Sequence, residues 1–467
     1  MGYLKQQWTG EGGYREFLTM AVPLILSTAA WSVQHFVDRM FLAWYSPETI
    51  AAAMPAGMLN FTIVSFFMGT ASYVSAFVAQ YHGASRHHRI GPALWQGLYL
   101  SLLGGLVLVF FIPLAGPIFN LVGHEPLVRR YEIEYFQILC LGGVPIIAGS
   151  ALTGFFAGQG RPWPVMWVNT ISTSVNVLLN YALIFGHWGF PELGIRGAGL
   201  ATVASAFCSL ALFFILASTK ANNETFHTLK GWRPEEALFV RLLRFGLPSG
   251  AQFCLDMTGF TLFILLVGRL GTNNLAATNI AFNINTLAFM PMIGSGIAVS
   301  VLVGHYLGRD RPDLAQKSVY SGFRLTFVYM SSIAAAYIFF PDIFVALFAA
   351  QADPESFGEI YRLTVTLLKF VAFFCIFDTL NIIFASAIKG AGDTRFVMLV
   401  TVILSMFVLA IPTYLAVVVF GYGLMVSWFI VSANVMTLGL VFYLRFRGGK
   451  WKAMRVIERS KPAGSAP

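Results

Sequence analysis

The sequence predicts an all-α integral membrane protein of about twelve transmembrane helices arranged as two six-helix halves. Three observations lead there. Hydrophobic residues fill 57% of the 467 positions and charged residues only 11%, less than half the roughly 25% charged usage of soluble globular proteins. Apolar runs of about 20 residues or more, long enough to cross a hydrocarbon core of roughly 30 Å as a helix, recur along the whole chain. The chain also repeats itself at a constant offset of 225 residues. No stretch is polar enough to form a soluble domain.

In chain order the runs lie at approximately 15–45, 50–80, 92–119, 130–157, 163–186, 195–219, 238–268, 274–306, 316–349, 359–388, 396–420 and 422–445. The first ends in Trp44 and Tyr45, an aromatic pair suited to a membrane interface. Gly186 closes the fifth and Arg196 opens the sixth, which places the turn between them at the same outer boundary. Pro23 and Pro248 lie inside the first and seventh runs and are the hinge candidates. Pro145, Pro291 and Pro412 are further bending points. The remaining runs qualify by length and by their near absence of charge.

The net charge of +9 reports topology rather than nucleic acid binding. With the N-terminus in the cytoplasm, most Lys and Arg residues fall on that side, among them Arg86, Arg89, Arg161, Lys220, Lys230, Arg233, Arg309, Arg311, Lys317, Lys389 and Arg395. The positive-inside bias then predicts a multi-pass plasma-membrane protein, in a bacterial inner membrane, with both termini cytoplasmic. The basic tail from Arg445 to Lys461 reads as an anchor to anionic headgroups, worth about 1 kcal/mol per basic residue. "MGYLKQQWTGEGG" has neither a cleavage pattern nor a Ser or Thr at its sixth position, so no removable leader or myristoyl group is expected. Cys140, Cys208, Cys254 and Cys375 fall in apolar runs without metal-like spacing.

In the repeat, Pro23 matches Pro248, Ala51-Ala52 matches Ala276-Ala277, Gly69 matches Gly294, and "QYHGASR" at 80–86 matches "HYLGRDR" at 305–311. Six helices is an even number, so both halves face the same way across the membrane. They are then related by an axis along the membrane normal, with any substrate site between them. The expected division is an N-lobe at 1–217, a hydrophilic linker at 218–236, a C-lobe at 237–446 and a basic tail at 447–467.

Polar residues inside the spans carry the functional argument. Asp38 lies six residues before Trp44, about 9 Å below the boundary at 1.5 Å per residue. Asn180 and Thr202 lie at the same depth on two other helices, with Asn176 one turn below Asn180. A carboxylate, two amides and a hydroxyl at one level suit a small hard cation or a proton. The alternative is interhelical glue, but an intramembrane carboxylate costs about 2.5 to 3.5 kcal/mol to insert and is usually functional. Adjacent Arg39 points about 100° away and is expected to snorkel outward. In the second half, Asp256 and Asp378 lie near the bilayer centre. Asn381 is one turn from Asp378, and Asn279 and Asn283 form an i, i+4 pair; these are candidates for a second polar cavity.

These features resemble the multidrug and toxic compound extrusion family over essentially the whole chain. The matching segments are "AVPLIL" leading to Asp38, "NVLLNYALIFG" at 176–186, "GIRGAGLAT" at 194–202, "GLPSGAQFCLD" at 246–256, "LAATNI" at 275–280, and Asp378 upstream of "KGAGDT". The resemblance implies two lobes in a V around a central cavity, and antiport of organic cations against sodium ions or protons. Carried over by position, it implies an N-lobe coupling site at Asp38, Asn176, Asn180 and Thr202, which sodium would occupy, and C-lobe acids at Asp256 and Asp378. Asn180 stands where some members have an aspartate, and Asp256 where others have a glutamate, so the coupling ion stays open between sodium and proton.

No cofactor beyond that ion is expected, and no catalytic residue. The expected partners are small organic cations and the bilayer, for a monomer that binds no nucleic acid. Phe36, Met58, Phe61, Met68, Phe282, Phe289 and Met290 are candidates to line a greasy cavity. The rival within transport is a lipid-linked sugar flippase, which would need inward basic residues. Arg39, Lys369 and Arg324 are the candidates, against three acids in the spans. An intramembrane enzyme lacks support: there is no G-x-S-x-G, and "HEPLV" at 124–128 has no second His. A channel suits paired lobes less well than alternating access. The loop "HGASRHHR" at 82–89 reads as a cytoplasmic basic turn rather than a metal site.

Overall fold

A computed structural model describes residues 7–349 and 354–458. The hexapeptide at 1–6, read above for leader and lipid signals, and the end of the tail with Arg459 and Lys461 lie outside the described residues. Among the described residues the regular structure is entirely helical. Eleven helices are long and apolar enough to span a membrane, or twelve if one bent pair counts as a span.

The first half comprises α1 (Tyr14–Tyr45), α2 (Pro47–Ala71), α3 (Val74–Gly83), α4 (Ile90–Phe111), α5 (Ala115–Val122), α6 (Pro126–Leu141), α7 (Gly143–Gly158), α8 (Trp163–Phe185) and α9 (Ile195–Ala217). Ser46 separates α1 from α2 and caps the latter through the Thr49 amide at 3.3 Å, with Pro47 in the first turn, where its missing N–H costs nothing. Short α10 (Lys220–Phe226) lies in the linker. The second half comprises α11 (Glu236–Gly268), α12 (Thr272–Gly308), α13 (Pro312–Phe339), α14 (Pro341–Ala349), α15 (Pro354–Ala391), α16 (Thr394–Val419) and α17 (Leu424–Arg447).

Several expected single spans are broken. The run at 92–119 stops at Phe111 and resumes as α5, and that at 316–349 divides before Pro341. The run at 130–157 bends by 47° between α6 and α7, at Gly142 with Pro145 just beyond, where backbone freedom and a missing N–H coincide. Pro23 and Pro248, by contrast, are buried inside unbroken helices. In α16, π-helical stretches at Ser405–Ala410 and Leu415–Val419 flank Pro412.

The halves pack as two lobes that meet through α1 on α12, α2 on α11 and α3 on α12. The described chain begins and ends on one side of the bundle, called the base. There Tyr306 donates to Glu16 at 2.6 Å, and Tyr81 donates to Glu458 at 2.9 Å. Glycines let the lobe backbones touch: a Cβ on Gly69 would lie 2.8 Å from Gly250 Cα, and one on Gly83 would lie 2.1 Å from the His305 carbonyl oxygen. Higher up, Thr28 donates to the Met290 carbonyl at 3.1 Å. Toward the opposite end, the mouth, Phe36 on α1 and Asn279 and Asn283 on α12 are exposed, and the lobes part as a V.

The basic turn at 82–89 is built into this junction. The His82 ring lies 5.0 Å from His87 and 5.1 Å from His305 of the other lobe. The tail likewise differs from a free anchor. Beyond α17 the chain turns at Gly449, whose φ of +74° suits glycine, and returns across the base as a strap. Trp451 is buried and stacked on Phe446 at 4.7 Å. The Val456 amide donates to Gln80 at 2.8 Å. Arg445 pairs with Asp393 at 2.7 Å and Arg455 with Asp310 at 3.0 Å. Glu458 joins both lobes, accepting from Tyr81 and, through its carbonyl, from Arg86 on one side, while pairing with Arg241 on the other.

Burial alone would raise the Glu458 carboxyl, but its own backbone N–H, Tyr81, Arg241 and Arg89 outweigh it and hold the group below its ordinary value. A carboxyl so depressed contributes stability above its unfolded pKa and loses it as pH falls through the lower folded value. The strap should therefore hold at neutral pH and loosen only in acid, below the ordinary glutamate range. Glu458→Gln should release it at neutral pH, seen as a few-fold faster hydrogen exchange at the Val456 amide. Gly83→Val should prevent base closure, and spin labels across the base would then report a wider separation than in the parent.

Candidate functional site

Two helices of the first lobe present polar side chains to each other at helical spacing. On α1 these are Ser27, Gln34 and Asp38; on α8 they are Asn169, Thr173, Asn176 and Asn180. Asn169 donates to Ser27 at 2.6 Å. Thr173 donates to the Ala30 carbonyl at 3.3 Å and to Gln34 at 3.5 Å. Asn180 donates to Asp38 Oδ1, and to Asn176 Oδ1 at 3.0 Å. The result is a polar seam roughly 16 Å long, ending at a carboxylate.

Asp38 is 8% exposed, and Asn176 and Asn180 are fully buried. The Asn180 Oδ1 atom is also buried and has no hydrogen-bond partner. A buried carbonyl oxygen left unsatisfied beside a carboxylate is a costly arrangement that a cation or a protonated group would relieve. No ion pair joins Asp38 to a base among the described residues. Arg39 is exposed and acts on Asp38 only through its charge. The buried Tyr135 ring of α6 is also in electrostatic contact with Asp38.

Thr202 does not bond to this group. Its hydroxyl donates to the Ala198 carbonyl at 3.0 Å, and Ser205 takes its place, accepting from Asn176 at 3.5 Å while donating to the Thr202 carbonyl at 2.9 Å. Ser205 lies one turn beyond Thr202, so helical spacing carried the signal. Among the described residues no cluster of three or more His, Cys, Asp or Glu side chains could hold a metal ion. The set at Asp38 is a single carboxylate among neutral oxygens, which suits a monovalent hard cation or a proton rather than a transition metal.

In the second lobe, Asp378 is buried and accepts from Asn381 at 3.0 Å. Asp256 is exposed, accepts from Gln252 at 3.3 Å, and interacts with the charges of Lys389 and Asp378. Lys389 therefore differs from its expected place at the cytoplasmic surface. The last turn of α15 is covered by the first lobe, with Tyr73 donating to the Lys389 carbonyl at 2.7 Å and Gln80 to that of Gly390 at 3.0 Å, and the ammonium faces Asp256. Asn279 and Asn283 do not join the acids; both are exposed on α12. Asn283 shares the face of Gly294, which packs on Ile25 of α1, so it looks toward the cleft. The buried asparagine of that helix is Asn285, which accepts from Cys375 at 3.2 Å. Arg324 bonds Gln7 and Tyr14 at the base, away from the cleft.

Where the lobes part, the cleft has an aromatic floor. Trp31 lies 5.7 Å from Phe61, and Phe61 meets Phe253 of the other lobe edge to face at 6.0 Å. His35 sits against Trp31 at 4.9 Å. Of the greasy residues named from sequence, Phe61 is in this floor, whereas Phe282 stacks on Trp428 at 4.8 Å within the second lobe. Trp31, His35 and Phe253 carried no distinguishing sequence pattern among so many aromatic residues.

A family model described as MatE matches residues 23–182 and 248–434. The chain is 32% identical over 382 residues, 81% of each protein, to the probable multidrug resistance protein NorM of Bradyrhizobium diazoefficiens. It is 27% identical over 438 residues, 92% of each, to that of Brucella suis. Among solved structures, a multidrug resistance MATE family transporter of the MOP superfamily in an outward-facing conformation matches with TM-score 0.86 at 19% identity, over 96% of this chain and 98% of that one. A MOP superfamily transporter from Pyrococcus furiosus, described as having a binding pocket of reverse polarity, matches with TM-score 0.84 at 19% identity, over 96% and 98%.

If the Asn180 amide stabilises the buried Asp38 carboxylate, the effects of Asn180→Ala and Asp38→Asn on stability should not add. A double-mutant cycle read by thermal unfolding in detergent should give a coupling of about 1 to 3 kcal/mol.

Proposed function

Because the chain belongs to the MatE family of multidrug and toxic compound extrusion transporters, and so is a multi-pass membrane transporter and not an enzyme, we propose that it exports organic, cationic and amphipathic compounds by alternating access, driven by inward flow of sodium ions or protons. The observation that carries this reading is the buried Asp38, held by Asn180 with no ion-pair partner among the described residues and with an unsatisfied amide oxygen beside it. A carboxylate taken out of water holds a proton more tightly, and a bound cation favours its ionised form. If the base-closed state and its base-open counterpart give this group different access to water, they differ in ion affinity, and an ion gradient then drives one into the other. In this proposal the glycine-lined junction and the strap hold the base shut while the mouth is open. The aromatic floor at Trp31, Phe61 and Phe253, with Asp256 and Asp378 behind it, receives a flat cation. Pro23 and Pro248 remain candidate hinges, and the positive-inside bias supports a cytoplasmic base in a bacterial inner membrane.

A second reading is favoured by one observation: Lys389 faces the interior, so a lipid-linked sugar flippase could use Lys389 and Arg39 to hold a pyrophosphate. Asp256 lies beside Lys389 and offsets its charge, which supports cationic cargo.

In proteoliposomes with an imposed sodium or pH gradient, the parent protein should accumulate a fluorescent organic cation. Asp38→Asn, which preserves shape, should lower that accumulation at least about tenfold, in the range of losses seen when a buried proton-transfer group is removed. Accumulation that survives the substitution would reject Asp38 as the coupling group. Transport of a lipid-linked pyrophosphate in place of the cation would favour the flippase. Sodium, if it is the coupling ion, should raise the melting temperature of the parent but not of Asp38→Asn.

A further inference from the structure

On the base of the second lobe, away from the cleft, a cavity of about 490 Å³ opens between the start of α11, the α15–α16 turn and the returning strap. Arg244, Arg395 and Arg455 line it, with Phe245 and Met454 as apolar wall. The nearby carboxylates are already committed: Asp393, buried, pairs with Arg445 at 2.7 Å, and Asp310 pairs with Arg455 at 3.0 Å. Arg244 and Arg395 are both exposed and form no ion pair among the described residues. Arg244 instead stands 6.0 Å from the Phe245 ring. Two guanidinium groups in one concavity, neither with an ion-pair partner among the described residues, form a recognition site for phosphate.

The surface above the cavity indicates what carries the phosphate. One turn and two turns beyond Arg395, on the same face of α16, Leu399 and Ile403 are 53% and 52% exposed. Leu247 is exposed one turn beyond Arg244 on α11, and α11 packs beside α16. An apolar track that starts at paired arginines and runs along the bundle wall accommodates an acyl chain, which a soluble anion does not need. We propose that this cavity is a specific site for an anionic phospholipid. Arg244 and Arg395 hold its headgroup phosphate, and its acyl chains lie along Leu247, Leu399 and Ile403. The site differs from a diffuse attraction of the basic tail to the membrane, because Arg244 and Arg395 lie outside the tail and share one concavity.

Native mass spectrometry of the full chain, with phosphatidylglycerol or cardiolipin titrated against phosphatidylcholine, tests the proposal. The parent should retain one or two anionic lipids after delipidation and bind them in preference to phosphatidylcholine. The double variant Arg244→Ala/Arg395→Ala should weaken that binding roughly 30-fold, a factor of about five per arginine. Arg233→Ala, at an exposed arginine elsewhere on the base, should leave it unchanged. Should the double variant unfold, Arg244→Lys/Arg395→Lys, which keeps the charge but loses the fork, should show an intermediate loss. Equal retention by parent and variants, or equal loss with Arg233→Ala, would overturn the site. Protection from thermal unfolding by millimolar inorganic phosphate that matches protection by the lipid would reassign the cavity to a soluble anion and overturn the lipid assignment.

Discussion

The structure is organised around the burial of one carboxylate. Asp38 sits inside a helix that otherwise reads as membrane-embedded, where an unsolvated charge is tolerated only if its neighbours replace the water it has lost. The seam between α1 and α8 supplies that replacement unevenly. Asn180 gives one N–H to the carboxylate and another to Asn176, yet its own oxygen is left without a donor. A purely structural pair would be expected to close that valence, since fully satisfied networks rigidify and partly satisfied ones do not. The open valence makes the seam sensitive to whatever small positive species can reach it.

The second lobe handles its charge differently. Lys389 offsets the charge of Asp256 while Asp378 opposes it, and the last turn of α15 that carries Lys389 is held by bonds its own backbone makes across the lobe junction. That electrostatic arrangement therefore depends on how the lobes are docked at the base. The repeat is thus a repeat of scaffold rather than of site. Gly69 and Gly294 occupy matching places in the junction, while the polar residues of the two halves have diverged.

Much of this was legible in the sequence. Composition and run length gave the membrane-spanning helices. The constant offset gave the two halves, and depth counting put Asp38, Asn176 and Asn180 together. What failed has physical reasons. Breaks at Gly142 and before Pro341 subdivide runs whose hydropathy is unbroken, because hydropathy does not register backbone freedom. Lys389 was counted with the cytoplasmic basic residues at the ends of runs, but a helix end can be roofed by other parts of the chain. Thr202 and Ser205 lie one turn apart on α9, and depth counting does not resolve which of two hydroxyls a turn apart meets Asn176; here it is Ser205. Asn279 and Asn283 pair along their helix and are exposed on α12, apart from the acids, since periodicity cannot say which face meets which partner.

The strap has a practical corollary for handling the protein. Glu458 fastens one lobe to the other from within the strap, so a probe or label attached to the strap beside it would sit on that contact. A bulky or strongly charged label on the strap would tug on that fastening, and labelled and unlabelled preparations would differ in the shape they adopt before any ligand is added.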